Sequence, residues 1–170
     1  MRTVSLLALP LLLTSGLAAQ KRGPSTPDER ATAVKAAHLL ESDPFNKDAK
    51  NAREWLTLWL VQIPDISIEV CSVYLKPLYD GKGKNYATEI ATQMMFSSAA
   101  FVIEHPDQSH DRIAVNTAGL EGALKTYKSI LKEKPKARWD FLDGLISRRE
   151  KGELQAYVQE VANRDCKNKQ

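Results

Sequence analysis

The run from Ile90 to Ile103, IATQMMFSSAAFVI, carries no charged residue. A helix that is apolar or small on every face is stable in water only when other elements enclose it. The run therefore predicts a central helix surrounded by neighbours. It falls short of the roughly 20 apolar residues that cross a bilayer. Its small residues, Ser97, Ser98, Ala99 and Ala100, let adjoining helices approach closely. The rest of the chain has to supply amphipathic partners for it.

Proline, glycine and capping residues divide the remainder into segments of helical length. Thr26-Pro27-Asp28-Glu29 places a Thr at the N-cap, Pro in the first turn and Glu at the third position, the pattern of a capping box. A helix is predicted from there to about Glu41. Ser42-Asp43-Pro44 ends it and starts a second, with Ala52, Trp55, Leu56, Trp59 and Leu60 at spacings of three and four, closed by Ile63-Pro64-Asp65. Residues 66–78 are ambiguous. Ile66, Ile68 and Val70 alternate like a strand, but a lone strand has no partner, so a helix ending at Pro77 and the GKGK of 81–84 is predicted.

Further helices are expected from about Arg112 to Lys134, from Lys136 through Trp139, Leu142, Leu145 and Ile146, and across Leu154, Tyr157, Val158 and Val161, with Gly152 as a break. The predicted fold is all-α: six or seven helices in antiparallel hairpins, forming a compact bundle or a short stacked-hairpin array.

The first twenty residues, MRTVSLLALPLLLTSGLAAQ, have one cation, an apolar run and then small residues, the layout of a secretory signal peptide cleaved after Ala18, Ala19 or Gln20. A polar lead-in at 21–26 and a single domain at 27–170 are expected to follow. The reading is a soluble, exported chain, periplasmic or extracellular, with no transmembrane anchor after cleavage. Cys71 and Cys166 are the only cysteines, and an even count in an exported chain predicts a disulfide. With 24 Lys and Arg against 21 Asp and Glu, net charge announces neither nucleic acid nor an anionic membrane as a partner.

Three clusters could carry function. The stretch EHPDQSHD gathers Glu104, His105, Asp107 and His110, which could hold a metal or serve acid–base chemistry; helix punctuation also accounts for them. Pro106 disfavours helical geometry at His105, and Asp107 or Ser109 could cap the next helix. Asp140 and Asp143 share a helix face but complement the dipole of a helix ending in Arg148, Arg149 and Lys151. Lys125, Lys128 and Lys132 form a stripe, extended by Lys136, that with Tyr127 could receive an acidic partner. No catalytic motif and no cofactor is indicated.

Within Gly122–Pro135, Ala123, Tyr127 and Pro135 hold the spacing of the second half of a tetratricopeptide repeat, which the stretch resembles. Upstream, Asp107, His110, Asp111 and Ala114 depart from the first half. The resemblance implies antiparallel hairpins and a protein-binding groove, and no chemistry. The leading expectation is an exported helical module that binds an unidentified protein or peptide. The alternatives are a structural, self-associating envelope component and a small metal-dependent or hydrolytic enzyme centred on residues 104–111.

Overall fold

The computed structural model describes residues 22–81 and 83–166. The expected signal segment, Lys21, Lys82 of the GKGK turn and residues 167–170 lie outside the described residues. Those described form seven α-helices, three short 3-10 turns and no strand. The fold is all-α.

Helix α1 spans Pro27–Ser42 and opens with the capping box: Thr26 Oγ1 accepts from the Glu29 amide at 3.2 Å and Glu29 Oε2 accepts from the Thr26 amide at 2.8 Å. Helix α2, Ala49–Gln62, begins several residues later than the Ser42-Asp43-Pro44 signal suggests. Asn46 donates to Asp43 and its own side-chain oxygen accepts from the Asp48 amide at 3.0 Å. Such side-chain-held turns compete locally with helix, and they delay α2 to Ala49.

Residues 66–71 are neither helix nor strand. They run extended across α5, where Asn116 substitutes for a strand partner: its amide oxygen accepts from the Cys71 amide at 3.2 Å and its nitrogen donates to the Glu69 carbonyl at 2.9 Å. A part-buried backbone needs hydrogen-bond partners, and a single side-chain amide here serves both directions. Ser72–Leu75 then form a 3-10 turn leading into α3, Lys76–Asp80. Pro77 opens this helix instead of closing one, because a missing N–H costs nothing in the first turn.

Helix α4, Ala87–Glu104, contains the uncharged run, and α5 is Arg112–Glu133. α4 stops at His105, before Pro106. The cap of α5 is Asp111, not Asp107 or Ser109: its carboxylate accepts from the amides of Ile113 and Ala114 at 2.9 and 3.0 Å. Helix α6, Asp140–Glu150, starts at Asp140 and not at Lys136, because Tyr127 Oη accepts from the Trp139 amide at 2.9 Å and holds the preceding residues as a turn. Gly152 takes φ 74°, and α7, Leu154–Asp165, follows.

α4 and α5 form an antiparallel hairpin at the centre, α1 packs across both, α2 lies on α1, α3 lies on α4, and α6 and α7 pack on α5. α4 divides two apolar clusters. One face, with Ile90 and Met94, joins the larger core of Leu78, Leu120, Leu124, Tyr127, Leu142 and Val158. The other, with Phe96 and Ala100, joins Leu40, Leu56 and Trp59 of α1 and α2. The disulfide Cys71–Cys166 spans 95 residues and ties the end of α7 to the start of the 3-10 turn.

Candidate functional site

Neither acid–base candidate converges on a reacting centre. Glu104 Oε1 lies 3.1 Å from His38 Nε2 of α1, His105 stacks on Phe101 with ring centroids 4.7 Å apart, and Asp107 and His110 are exposed on the turn. No group of three or more His, Cys, Asp and Glu residues is assembled as a metal site among the described residues. Asp143 accepts from Tyr127 Oη at 2.9 Å and pairs with Arg138 at 2.6 Å. It anchors the start of α6.

Where α1 crosses the α4–α5 hairpin, the interface is polar. Glu41 is buried between the helices. One carboxylate oxygen accepts from Ser97 Oγ at 2.7 Å; the other lies 3.1 Å from Lys125 Nζ and 3.3 Å from His38 Nδ1. Gln93 donates to the Ala37 carbonyl and to Ser97 Oγ, each at 3.0 Å. Each helix therefore gives the others a hydrogen-bonded register, and a buried carboxylate is tolerated because every oxygen is paired.

Burial alone pushes the Glu41 carboxyl up, but the Ser97 hydrogen bond and the Lys125 ammonium outweigh it and leave it below its ordinary 4.5. Its stabilising contribution is therefore complete above 4.5 and is lost as pH falls through the folded value. His38 runs the opposite way. Burial pushes it down, the Glu104 and Glu41 carboxylates more than restore it, and it sits above its ordinary 6.5. Its contribution is complete below 6.5 and is lost as pH rises through the folded value. Urea midpoints measured against pH are expected to peak between these limits. Glu41→Gln should flatten the acid limb and His38→Gln the alkaline limb.

The lysine stripe meets this seam. Lys125, Lys128 and Lys132 are exposed along α5, and with His38 and Ser42 of α1 and Arg149 of α6 they line a cleft of about 350 Å³. Lys136 lies outside the cleft, beyond the end of α5. Tyr127 belongs to the core: it is fully buried and cannot meet a partner. At 3.6 residues per turn it stands about 200° around the helix from Lys125. Arg149 and His38 join the cations only through the fold.

A second surface lies on the far side of α4. Among the described residues, four large hydrophobic side chains are exposed: Leu58 by 61%, Val61 by 80%, Tyr79 by 53% and Met95 by 37%. Three of them border two adjoining grooves that together make one trough. Leu58 borders a groove of about 480 Å³ floored by Phe96, Thr88 and Thr92, and Tyr79 and Met95 border one of about 310 Å³ that shares Thr88 and Thr92. Val61 lies about one turn beyond Leu58 on α2 and lines neither groove. The run expected to be enclosed on every face is largely buried but opens along this strip, where Met95 is exposed and Thr92 half-buried, since α5, α1 and α3 cover the other sides of α4.

No helix among the described residues is long and apolar enough to cross a membrane. No protein-family model, no curated protein and no solved structure matches the chain.

Proposed function

We propose that the protein is an exported, disulfide-bonded helical module that binds a helix of a partner protein in the trough between α2, α3 and α4. The observation that carries this is the exposure of Leu58, Tyr79 and Met95 along two adjoining grooves that share Thr88 and Thr92, with Val61 exposed about one turn beyond Leu58 on α2. A contiguous exposed apolar patch marks an interaction site more often than an accident of folding. The occupant is a helix because the trough is the vacant flank of a helical bundle: α2 and α4 form its walls, and α3, only five residues long, leaves the outer side of α4 bare. An amphipathic helix laid along it would supply apolar anchors at spacings of three and four.

The rim is mixed in charge, with Arg53, Glu54 and Glu89, so apolar contact gives affinity and the rim gives orientation. Hairpins presenting a binding groove are also what the tetratricopeptide half-motif of Gly122–Pro135 implies. Export rests on the signal-like first twenty residues and agrees with the disulfide.

Leu58→Asp combined with Val61→Asp is expected to leave the unfolding free energy from urea denaturation within about 0.5 kcal/mol of the parent, because exposed positions are tolerant. The same variant should lose the partner in co-purification from the extracellular or periplasmic fraction. Undiminished recovery of the same protein by this variant would remove the trough as its binding surface.

A further inference from the structure

We propose that the cleft between α1, α5 and α6 is a separate binding site for a small polyanion, one carrying at least two phosphoryl or carboxylate groups. Three cations converge there without an ion-pair partner among the described residues: Lys128 and Lys132 from α5 and Arg149 from α6. Lys125 differs from them, because the buried Glu41 carboxylate already engages its ammonium at 3.1 Å. One Glu41 oxygen accepts from Ser97 and the other meets Lys125, so this carboxylate balances the Lys125 charge and leaves Lys128, Lys132 and Arg149 without a counter-charge. Like charges held together without counter-charge raise the local potential and favour an anion there.

The dimensions select the ligand class. Lys128 and Lys132 are one helical turn apart, about 6 Å along the axis, and Arg149 approaches from another helix. Three unpaired cations exceed the charge of one phosphate group, about −1.5 to −2 at pH 7, whereas two or more linked anionic groups can balance them. The volume of about 350 Å³ lies at the small-metabolite end of ligand sites. Ser129, between the two lysines in sequence and lining the same cleft, offers a hydroxyl donor. Arg149 offers a planar fork suited to phosphoryl or carboxylate oxygens. Nothing in this site depends on the apolar trough.

Calorimetric titration of the disulfide-bonded chain with sodium tripolyphosphate, citrate and inorganic phosphate at neutral pH tests it. The expected result is one-to-one binding of tripolyphosphate or citrate, at least tenfold tighter than inorganic phosphate. Tripolyphosphate alone would identify phosphoryl groups as the ligand chemistry, and citrate alone carboxylates. Lys128→Glu and Arg149→Glu should each weaken binding at least tenfold. Lys50→Glu, an equal charge change at an exposed lysine of α2, should weaken it less than twofold. Binding of neither polyanion, equal affinity for inorganic phosphate, or equal losses in Lys50→Glu and Lys128→Glu would overturn the proposal. Unchanged urea midpoints in the three variants establish that the losses arise at the site. If Lys128→Glu unfolds the chain, Lys128→Gln with Lys132→Gln carries the same expectation.

Discussion

Gly122→Ala should destabilise the protein by about 1–3 kcal/mol, the range in which forced overpacking at a closed interface falls. Intrinsic helix propensity makes the opposite demand, since alanine is favoured over glycine in a helix by about 1 kcal/mol. Packing decides the sign. A Cβ on Gly122 would overlap the Ser97 side chain and stand 2.7 Å from Glu41 Oε1, at the point where α1, α4 and α5 meet. Gly119 repeats the arrangement one turn earlier, where a Cβ would overlap the Ser98 hydroxyl and stand 2.7 Å from the Met94 carbonyl oxygen. That oxygen belongs to the α4 backbone, so relief requires the helices to separate. Gly144 of α6 has nothing within 4 Å, and Gly144→Ala should stabilise by about 0.5–1 kcal/mol. Opposite signs at Gly122 and Gly144 in urea denaturation would establish the close approach of α4 and α5. A stabilised Gly122→Ala would contradict it.

Removing the disulfide in Cys71→Ser with Cys166→Ser should cost about 4–5 kcal/mol, the chain-entropy value for a closed loop of about a hundred residues. The loss has a structural side too. The bridge fixes the end of α7 to the extended segment, where Arg112 also donates to the Cys166 carbonyl at 3.1 Å. Without it, α7 is held by Leu154, Val158 and Val161 against the larger core and by the bond from Tyr74 Oη to the Val158 carbonyl. Limited proteolysis should therefore cut within α7 first, and cleavage should be suppressed in the oxidised parent. Equal denaturation midpoints in oxidised and doubly substituted protein would show that the bridge constrains little.

What the sequence made legible was local chemistry. The capping box at Thr26, the stop before Pro106, the turn at Gly152 and the uncharged run of α4 each depend on residues within a few positions, and each element stands where those residues place it. What escaped was set by distant partners. Residues 66–71 are extended because Asn116, in another helix, satisfies their backbone. α6 begins late because Tyr127 takes the Trp139 amide.

The binding surfaces divide in the same way. Lys125, Lys128 and Lys132 form a visible stripe, but His38 and Arg149 reach it only by packing. The burial of Tyr127 was readable from helical angle alone. The apolar trough was not: Trp55, Leu56, Leu58, Trp59, Leu60 and Val61 are apolar around much of α2, and only the packing of α2 against α1 and α4 decides that Leu58 and Val61 stay exposed. The small-residue pairing of Gly119 and Gly122 with Ser97 and Ser98 was written on two segments, and only their juxtaposition gives it meaning.

The most direct measurement is site-specific photo-crosslinking in the native exported fraction, with a photoreactive residue at Leu58 or Met95 in the trough and at Lys151 as an outlying control. The prediction is one stoichiometric protein linked from both trough positions and not from Lys151. The linked segment, made as a synthetic peptide, should become helical on binding and be rejected by the chain carrying Leu58→Asp and Val61→Asp. Links only between copies of this chain, or a partner captured equally from Lys151, would contradict a helix-binding trough.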